Sequence, residues 1–311
     1  LGLMSLIVKE LRQKVDNNLE ISIQYEDQKD NEWKSVFNHA LGYKKVTNSE
    51  GQILESPRIN NQSKVFINAC GISFHLQAYP SNSIDLGISF TAMHWLSKSS
   101  SSFRGSEIMH ASGCNDLDIL NPEKLQAAID WDNIVRSRAK ELRVGGRMVI
   151  VNFCISQEGY YLGKTDIGKN MWDSFIKCWN KLYEDGLIDE EERLAVSFPS
   201  YYRTSQESIE GVEAIEGVRV VKCIEEMVRC PYRSAWTSNK FEGTAREYAE
   251  WYIPTTRTWS ESTFKQAIKN NKDKNKIMEK FWDNYIELVE KEPHNHGMDY
   301  IHTYLVIEKY K

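Results

Sequence analysis

The chain has 311 residues, 41% hydrophobic and 27% charged, with a formal net charge of −5. That length suits one large globular domain, or one domain with a sizeable insertion. The acidic balance, without a long basic run, argues against nucleic acid as a partner. No apolar run reaches membrane-spanning length. The six cysteines, Cys70, Cys114, Cys154, Cys178, Cys223 and Cys230, make no CxxC pair. They read as reduced apolar residues in a cytoplasmic protein, without the ligand spacing of a zinc site.

In chain order, Leu3, Leu6, Ile7, Leu11 and Val15 recur at helical spacing, so residues 3–15 are predicted to be a helix. Leu19, Ile21, Ile23 and Tyr25 alternate as a strand that finishes at Glu26-Asp27. A carboxylate at the end of an early strand can accept two ribose hydroxyls, whereas spacing alone favours a solvated turn. Asn31 to Phe37 reads as a short amphipathic helix, residues 44–63 as an irregular polar loop, and Lys64 to Cys70 as a strand running into Gly71-Ile72-Ser73-Phe74.

The next strand carries the most chemistry. Ile84, Leu86 and Ile88 alternate with Asp85, Gly87 and Ser89, and the pattern then breaks into Phe90-Thr91-Ala92-Met93-His94-Trp95. Open α/β sheets bind ligands past the carboxyl ends of their strands. An indole N–H beside an imidazole can hold a small acid without acting as a base. This suggests a substrate clamp of His94 and Trp95, with Thr91 beside it.

Ser97 to Gly113 is Ser-rich and expected to be mobile. Asn121-Pro122-Glu123 is expected to start a long helix, with Asn as cap and Pro at the first position, closed by Gly145-Gly146. Glu141 on that helix reads as a surface charge. Arg147 to Cys154 is a nearly continuous apolar strand, as in a central parallel sheet. Residues 168–185 form a helix presenting Trp172, Phe175, Trp179 and Leu182, and a further helix starts at Thr204 or Ser205. Val218 to Val228 is a strand, 244–291 is mostly helical, and Asp299 to Tyr310 is a final strand. The two late strands are expected to pair antiparallel. His294 and His296 read as a solvated loop.

In sum the ordered motifs resemble one family, the plant-type SAM-dependent carboxyl methyltransferases acting on salicylate, jasmonate and related acids. Ser89-Phe90-Thr91-Ala92-Met93-His94-Trp95-Leu96-Ser97 is similar to that family's Ser-Ser-Tyr-Ser-Leu-His/Met-Trp-Leu-Ser. Arg138-Ala139-Lys140-Glu141-Leu142 with Gly145-Gly146-Arg147-Met148-Val149, Gly186-Leu187-Ile188-Asp189-Glu190-Glu191 and Pro199-Ser200-Tyr201 extend the likeness over nearly the whole chain.

The resemblance implies an α/β fold: a Rossmann-like class I methyltransferase sheet, mostly parallel with an antiparallel last strand, under a helical cap. Residues 1–155 and 217–311 would form the SAM-binding core, with a helical insertion at 240–292, and 156–216 would belong to the cap. SAM would be the cofactor and S-adenosylhomocysteine the product. Asp27, Gln28, Ser73, Phe74, Ser89 and Phe90 would contact the cofactor. Thr91, His94, Trp95, Trp172 and Tyr201 would contact a small, apolar or aromatic carboxylic acid. The family's glycine-rich loop is expected ahead of Leu1. Phe103, Leu194, Val196 and Ser197 stand where some members carry metal-binding groups, so no metal is expected. A homodimer is implied by the resemblance alone. N-methylation of a heterocycle, or a catalytically silent binding protein, remain alternatives at this stage, since Thr91 replaces the usual Tyr.

Overall fold

The computed structural model describes residues 2–47, 53–54, 56, 64–100, 103 and 105–311. Most of the loop expected over 44–63 lies outside them. The chain forms two compact units, residues 1–78 and 79–311.

In the first unit, helix α1 (Gly2–Lys14) precedes strand β1 (Ile21–Asp27), helix α2 (Trp33–Ala40), the short antiparallel pair β2 (Val46–Thr47) and β3 (Ile53–Leu54), and strand β4 (Val65–Gly71). β1 and β4 pair in parallel, Ile21 opposite Val65 through Asp27 opposite Gly71. Val8 and Met4 of α1 pack on Ile23, Val65 and Ile67. The helical stripe and the strand alternation therefore meet in one small apolar cluster. A side chain at Gly71 would press on the Lys29 backbone at 3.3 Å, so the turn after β1 lies directly against the end of β4.

In the second unit, β5 (Ile84–Phe90) leads through a long connection to helix α3 (Leu117–Glu141) and strand β6 (Leu142–Phe153). Then come α4 (Met171–Glu184), α5 (Glu190–Ala195), α6 (Ser205–Glu213), β7 (Val218–Val228), α7 (Pro231–Thr237), α8 (Ala245–Ala267), α9 (Lys274–Lys291) and β8 (Tyr300–Lys309). The sheet order is β5-β6-β8-β7. β5 and β6 are parallel, and β8 runs antiparallel to both of its neighbours, as the two late strands suggested. Among the described residues, the first unit holds the parallel pair β1-β4, and the fold is the mixed α/β one expected, with an antiparallel last strand.

Helix α3 starts earlier than its Asn-Pro-Glu signal. Asp116 is the cap, its carboxylate accepting from the Asp118 N–H at 2.9 Å, and Pro122 lies inside the helix. Nor does the helix end on Gly145-Gly146. Leu142 turns straight into β6, and both glycines lie within the strand. Gly146 is confined by the Arg143 and Ile84 carbonyls, which a Cβ would meet at 2.9 and 3.0 Å. Glu141, expected at the surface, is buried. It takes two bonds from Arg138, each 2.6 Å, and one from the Tyr79 N–H. A carboxylate one residue before a central strand faces the core, and Arg138 one turn back neutralises it.

Helices α4, α8 and α9 enclose an aromatic core in which Phe175, Trp179, Phe264, Phe281, Trp282 and Tyr285 interlock, largely edge to face. The Gly186–Glu191 motif serves this layer. Asp189 caps α5 with a capping box, and the buried Glu192 accepts from Lys272 and from the Lys269 backbone. On the α3 side, the Trp131 indole donates to the Ser208 carbonyl at 3.1 Å and lies over Gly211, where no Cβ would fit.

Two stability outcomes follow. Glu141→Ala should cost roughly 3–5 kcal/mol in urea unfolding, because it removes the carboxylate that takes two buried bonds from Arg138, while the double variant R138M/E141M should cost less than Glu141→Ala alone. Thr91, the residue after β5, has φ +43, a left-handed backbone that a β-branched residue rarely adopts. Thr91→Gly should raise the unfolding free energy by about 1 kcal/mol, and an equal loss would show that the threonine side chain supplies packing that outweighs the strain.

Candidate active site

Residues 91–97 form a short crossing segment after β5, fixed from two sides. On one side the Thr91 N–H donates to the Val151 carbonyl at 3.0 Å, and the Met93 N–H to Asn152 Oδ1 at 3.2 Å. On the other, the Leu96 N–H donates to Pro199 O at 2.7 Å and the Tyr201 N–H to His94 O at 2.9 Å, with Trp95 bridged to Ser200. The Pro199-Ser200-Tyr201 motif is thus a strap across the His94-Trp95 motif.

His94 is 3% exposed. Its ring meets Phe153 edge-on at 4.9 Å, Trp95 at 5.4 Å and Tyr202 at 5.6 Å. Its Nδ1 is buried and without a partner. Burial first, then the positive charge of Arg203 and the neighbouring His302, pull its pKa down to about 3, so the ring is neutral at physiological pH. Trp95 is half-buried against the aromatic core, and its indole N–H has no hydrogen-bond partner among the described residues.

Arg203 is buried and holds the segment from behind. One Nη donates to the Met93 carbonyl at 3.1 Å, the other to the Ala127 carbonyl, and the guanidinium lies over the Trp131 ring at 5.2 Å. Burial lowers it to about 10, so it keeps its charge at neutral pH.

Beyond His94, the buried His110 is stacked between Tyr202 at 4.2 Å and Trp172 at 4.5 Å. Its Nδ1 accepts from the Ser112 N–H at 3.1 Å, which puts the proton on Nε2, 2.7 Å from Ser200 Oγ. Ser200 therefore joins His110 to the strap that holds Trp95. Trp172 is 3% exposed and spends its indole N–H on the Leu162 carbonyl at 3.1 Å, so it offers this region a ring face only. Neighbouring residues in extended chain point to opposite sides. Tyr202 meets His94 and His110, while Tyr201 turns to a different cluster with Leu96 and Phe103. Tyr202 is suggested by sequence only beside Trp172 and Tyr201 as a sign of an aromatic substrate, and His110, Phe153, Arg203 and His302 are absent from the candidates. Only the alternation of Tyr300, His302 and Tyr304 along the last strand could have pointed to one of them.

The cofactor candidates divide between the units. In the first, Asp27 ends β1 exposed. Its carboxylate accepts from the Gln28 N–H at 2.7 Å and from Asn31 Nδ2 at 3.0 Å. A carboxylate has about four acceptor positions, so room for a vicinal diol remains. Ser73 and Phe74 form the turn after β4, where the Leu76 N–H donates to Ser73 O at 3.0 Å. This donor and acceptor set suits a ribose and a flat base. In the second unit, Ser89 and Phe90 close β5, with Phe90 exposed. Among the described residues, no group of three or more His, Cys, Asp or Glu could hold a metal ion, and no helix is long and apolar enough to cross a membrane.

Known proteins bear on this arrangement. A family model for SAM-dependent carboxyl methyltransferases matches residues 2–310. The chain is 24% identical over 181 residues to gibberellic acid methyltransferase 2 of Arabidopsis thaliana, covering 55% of this chain and 46% of that protein. It is 25% identical over 224 residues to a probable 7-methylxanthine methyltransferase 2 of Theobroma cacao, covering 70% and 56%. It is 27% identical over 136 residues to a benzoic acid/salicylic acid carboxyl methyltransferase of Petunia hybrida, covering 42% and 36%. The chain spans about half the length of the curated relatives it matches. A loganic acid methyltransferase solved with S-adenosylhomocysteine superposes with a TM-score of 0.74 at 17% identity, over 99% of this chain and 80% of that one, which establishes the fold. The chain belongs to the SAM-dependent carboxyl methyltransferase family.

Proposed function

We propose that the protein methylates the carboxylate of a small apolar or aromatic acid, held by the Trp95 indole N–H with neutral His94 beside it. The observation that carries this reading is that free N–H, next to an uncharged imidazole, past the carboxyl end of a parallel strand. Asp27 would hold the ribose hydroxyls of SAM, with Gln28, Ser73 and Phe74 along the adenine and Ser89 and Phe90 as further contacts. Thr91 borders the clamp, and Trp172 contributes a ring face to the substrate side through the helical layer, whereas Tyr201 packs with Leu96 and Phe103.

SAM, when bound, supplies an electrophilic methyl group on a positively charged sulfur. The acid is ionised at neutral pH, its pKa being near ~4, and needs no general base. With the acid held by Trp95 and His94, its carboxylate oxygen would accept that methyl group, the bonding pair of the sulfur–carbon bond being left on sulfur. The acid's negative charge is lost on the way, so a fixed cation in contact with it would favour the ground state. Trp95 orients the oxygen without that penalty. Arg203 is committed to two backbone carbonyls and an indole face. N-methylation of a planar heterocycle is a second reading, supported by the likeness to the xanthine methyltransferase.

A screen of carboxylic acids and xanthines with labelled SAM tests the proposal. Ester products from acids are expected, and turnover of xanthines alone would overturn the carboxylate reading. Trp95→Phe should lower kcat/KM roughly 10- to 100-fold, the loss of one hydrogen bond to a charged acceptor, with the thermal midpoint little changed. Because His94 stays neutral down to about pH 3, kcat/KM should be flat from pH 8 to 6 and fall only as the acid itself is protonated. An inflection near the ordinary histidine value of 6.5 would contradict a neutral clamp.

A further inference from the structure

His302 lies on β8 opposite Phe153 of β6 and Glu226 of β7. Its ring runs nearly parallel to Tyr300 (5.3 Å, 11°) and Phe153 (5.2 Å, 23°), with Tyr304 edge-on at 5.8 Å. Phe153 in turn meets His94 at 4.9 Å, so His302 belongs to the clamp's own aromatic cluster. Both of its ring nitrogens are buried, and neither has a hydrogen-bond partner. Glu226 is exposed and makes no hydrogen bond to it. Two shielded, unsatisfied polar atoms on one ring are costly, and the flanking rings fix its plane.

Resting on the methyltransferase reading, we infer that His302 is a specificity-determining residue that recognises a hydroxyl group carried by the acid substrate in addition to its carboxylate. A neutral imidazole presents one N–H donor and one lone-pair acceptor, and a hydroxyl answers either. Burial holds the ring in that form, with its pKa lowered to about 4. A second carboxylate could use only the donor and would enter an apolar cluster as an uncompensated charge. A plain hydrocarbon acid would leave both nitrogens unsatisfied. Discrimination by polar pairing is the stronger kind, because the wrong ligand strands a buried group.

The test uses acids in matched pairs that differ by one hydroxyl at successive ring positions, assayed with labelled SAM on the wild type, His302→Phe and His302→Asn. Phenylalanine keeps the ring stack and removes both nitrogens, while asparagine restores a donor and an acceptor. The wild type should prefer the hydroxy acid at one position by about tenfold or more in kcat/KM. His302→Phe should bring that ratio to about one with turnover of the plain acid retained, and His302→Asn should recover part of it. A wild-type ratio near one at every position, or a ratio unchanged in a folded His302→Phe protein, overturns the assignment and leaves the methyltransferase reading intact. Failure to methylate any acid, plain or hydroxylated, overturns the reading and the assignment together.

Discussion

The second unit turns on one short backbone crossing, residues 199–201 laid over residues 94–96. Two hydrogen bonds, Leu96 to Pro199 and Tyr201 to His94, close it. Each is worth only about 1 kcal/mol net. Their importance is geometric, because the crossing brings three otherwise distant parts together. Ser200 joins it to His110, Tyr202 joins it to Phe153 and the last strand, and Arg203 ties it back to Met93 and helix α3. The strap adds a second anchor to a segment that Val151 and Asn152 already hold from the other side.

The electrostatics are consistent with that arrangement. The three histidines around the clamp all have lowered pKa values, each chiefly through burial. Arg203 gives its two Nη groups to the Met93 and Ala127 carbonyls and lies over the Trp131 ring. What remains near Trp95 is a set of neutral rings with directional donors and acceptors. On the proposed carboxylate reaction, such a surface would orient an anion that loses its charge, whereas an exposed arginine would hold it back.

The sequence was informative where local patterns and core packing agree. The alternation of β5, the continuous apolar run of β6 and the capping box at Thr204 all appear where they were read. It misled where tertiary contacts outweighed local signals. Asp116 captured the start of α3 from the Asn-Pro pair, and Glu141 looked like a surface charge because the motif that holds it and Arg138 does not reveal that the pair is buried. The His94-Trp95 pair was legible because it interrupts a strand. Its surroundings were not. His110, the Tyr202-Arg203 pair and His302 come from three separated positions, and only the folded strap and the last strand bring them near His94. Adjacent tyrosines at 201 and 202 cannot be told apart until the strap's register is known.

On the reading proposed above, the clamp works as a neutral, directional site. It is tested most directly by a pH titration of the protein labelled with 15N at its histidine rings, the His94 signal being assigned by its absence from His94→Gln. The His94 ring should stay neutral from pH 8 to below pH 5, burial holding its pKa down to about 3. A His94 midpoint between pH 6 and 7 would mean that the ring is solvated and chargeable, and the neutral clamp would have to be abandoned.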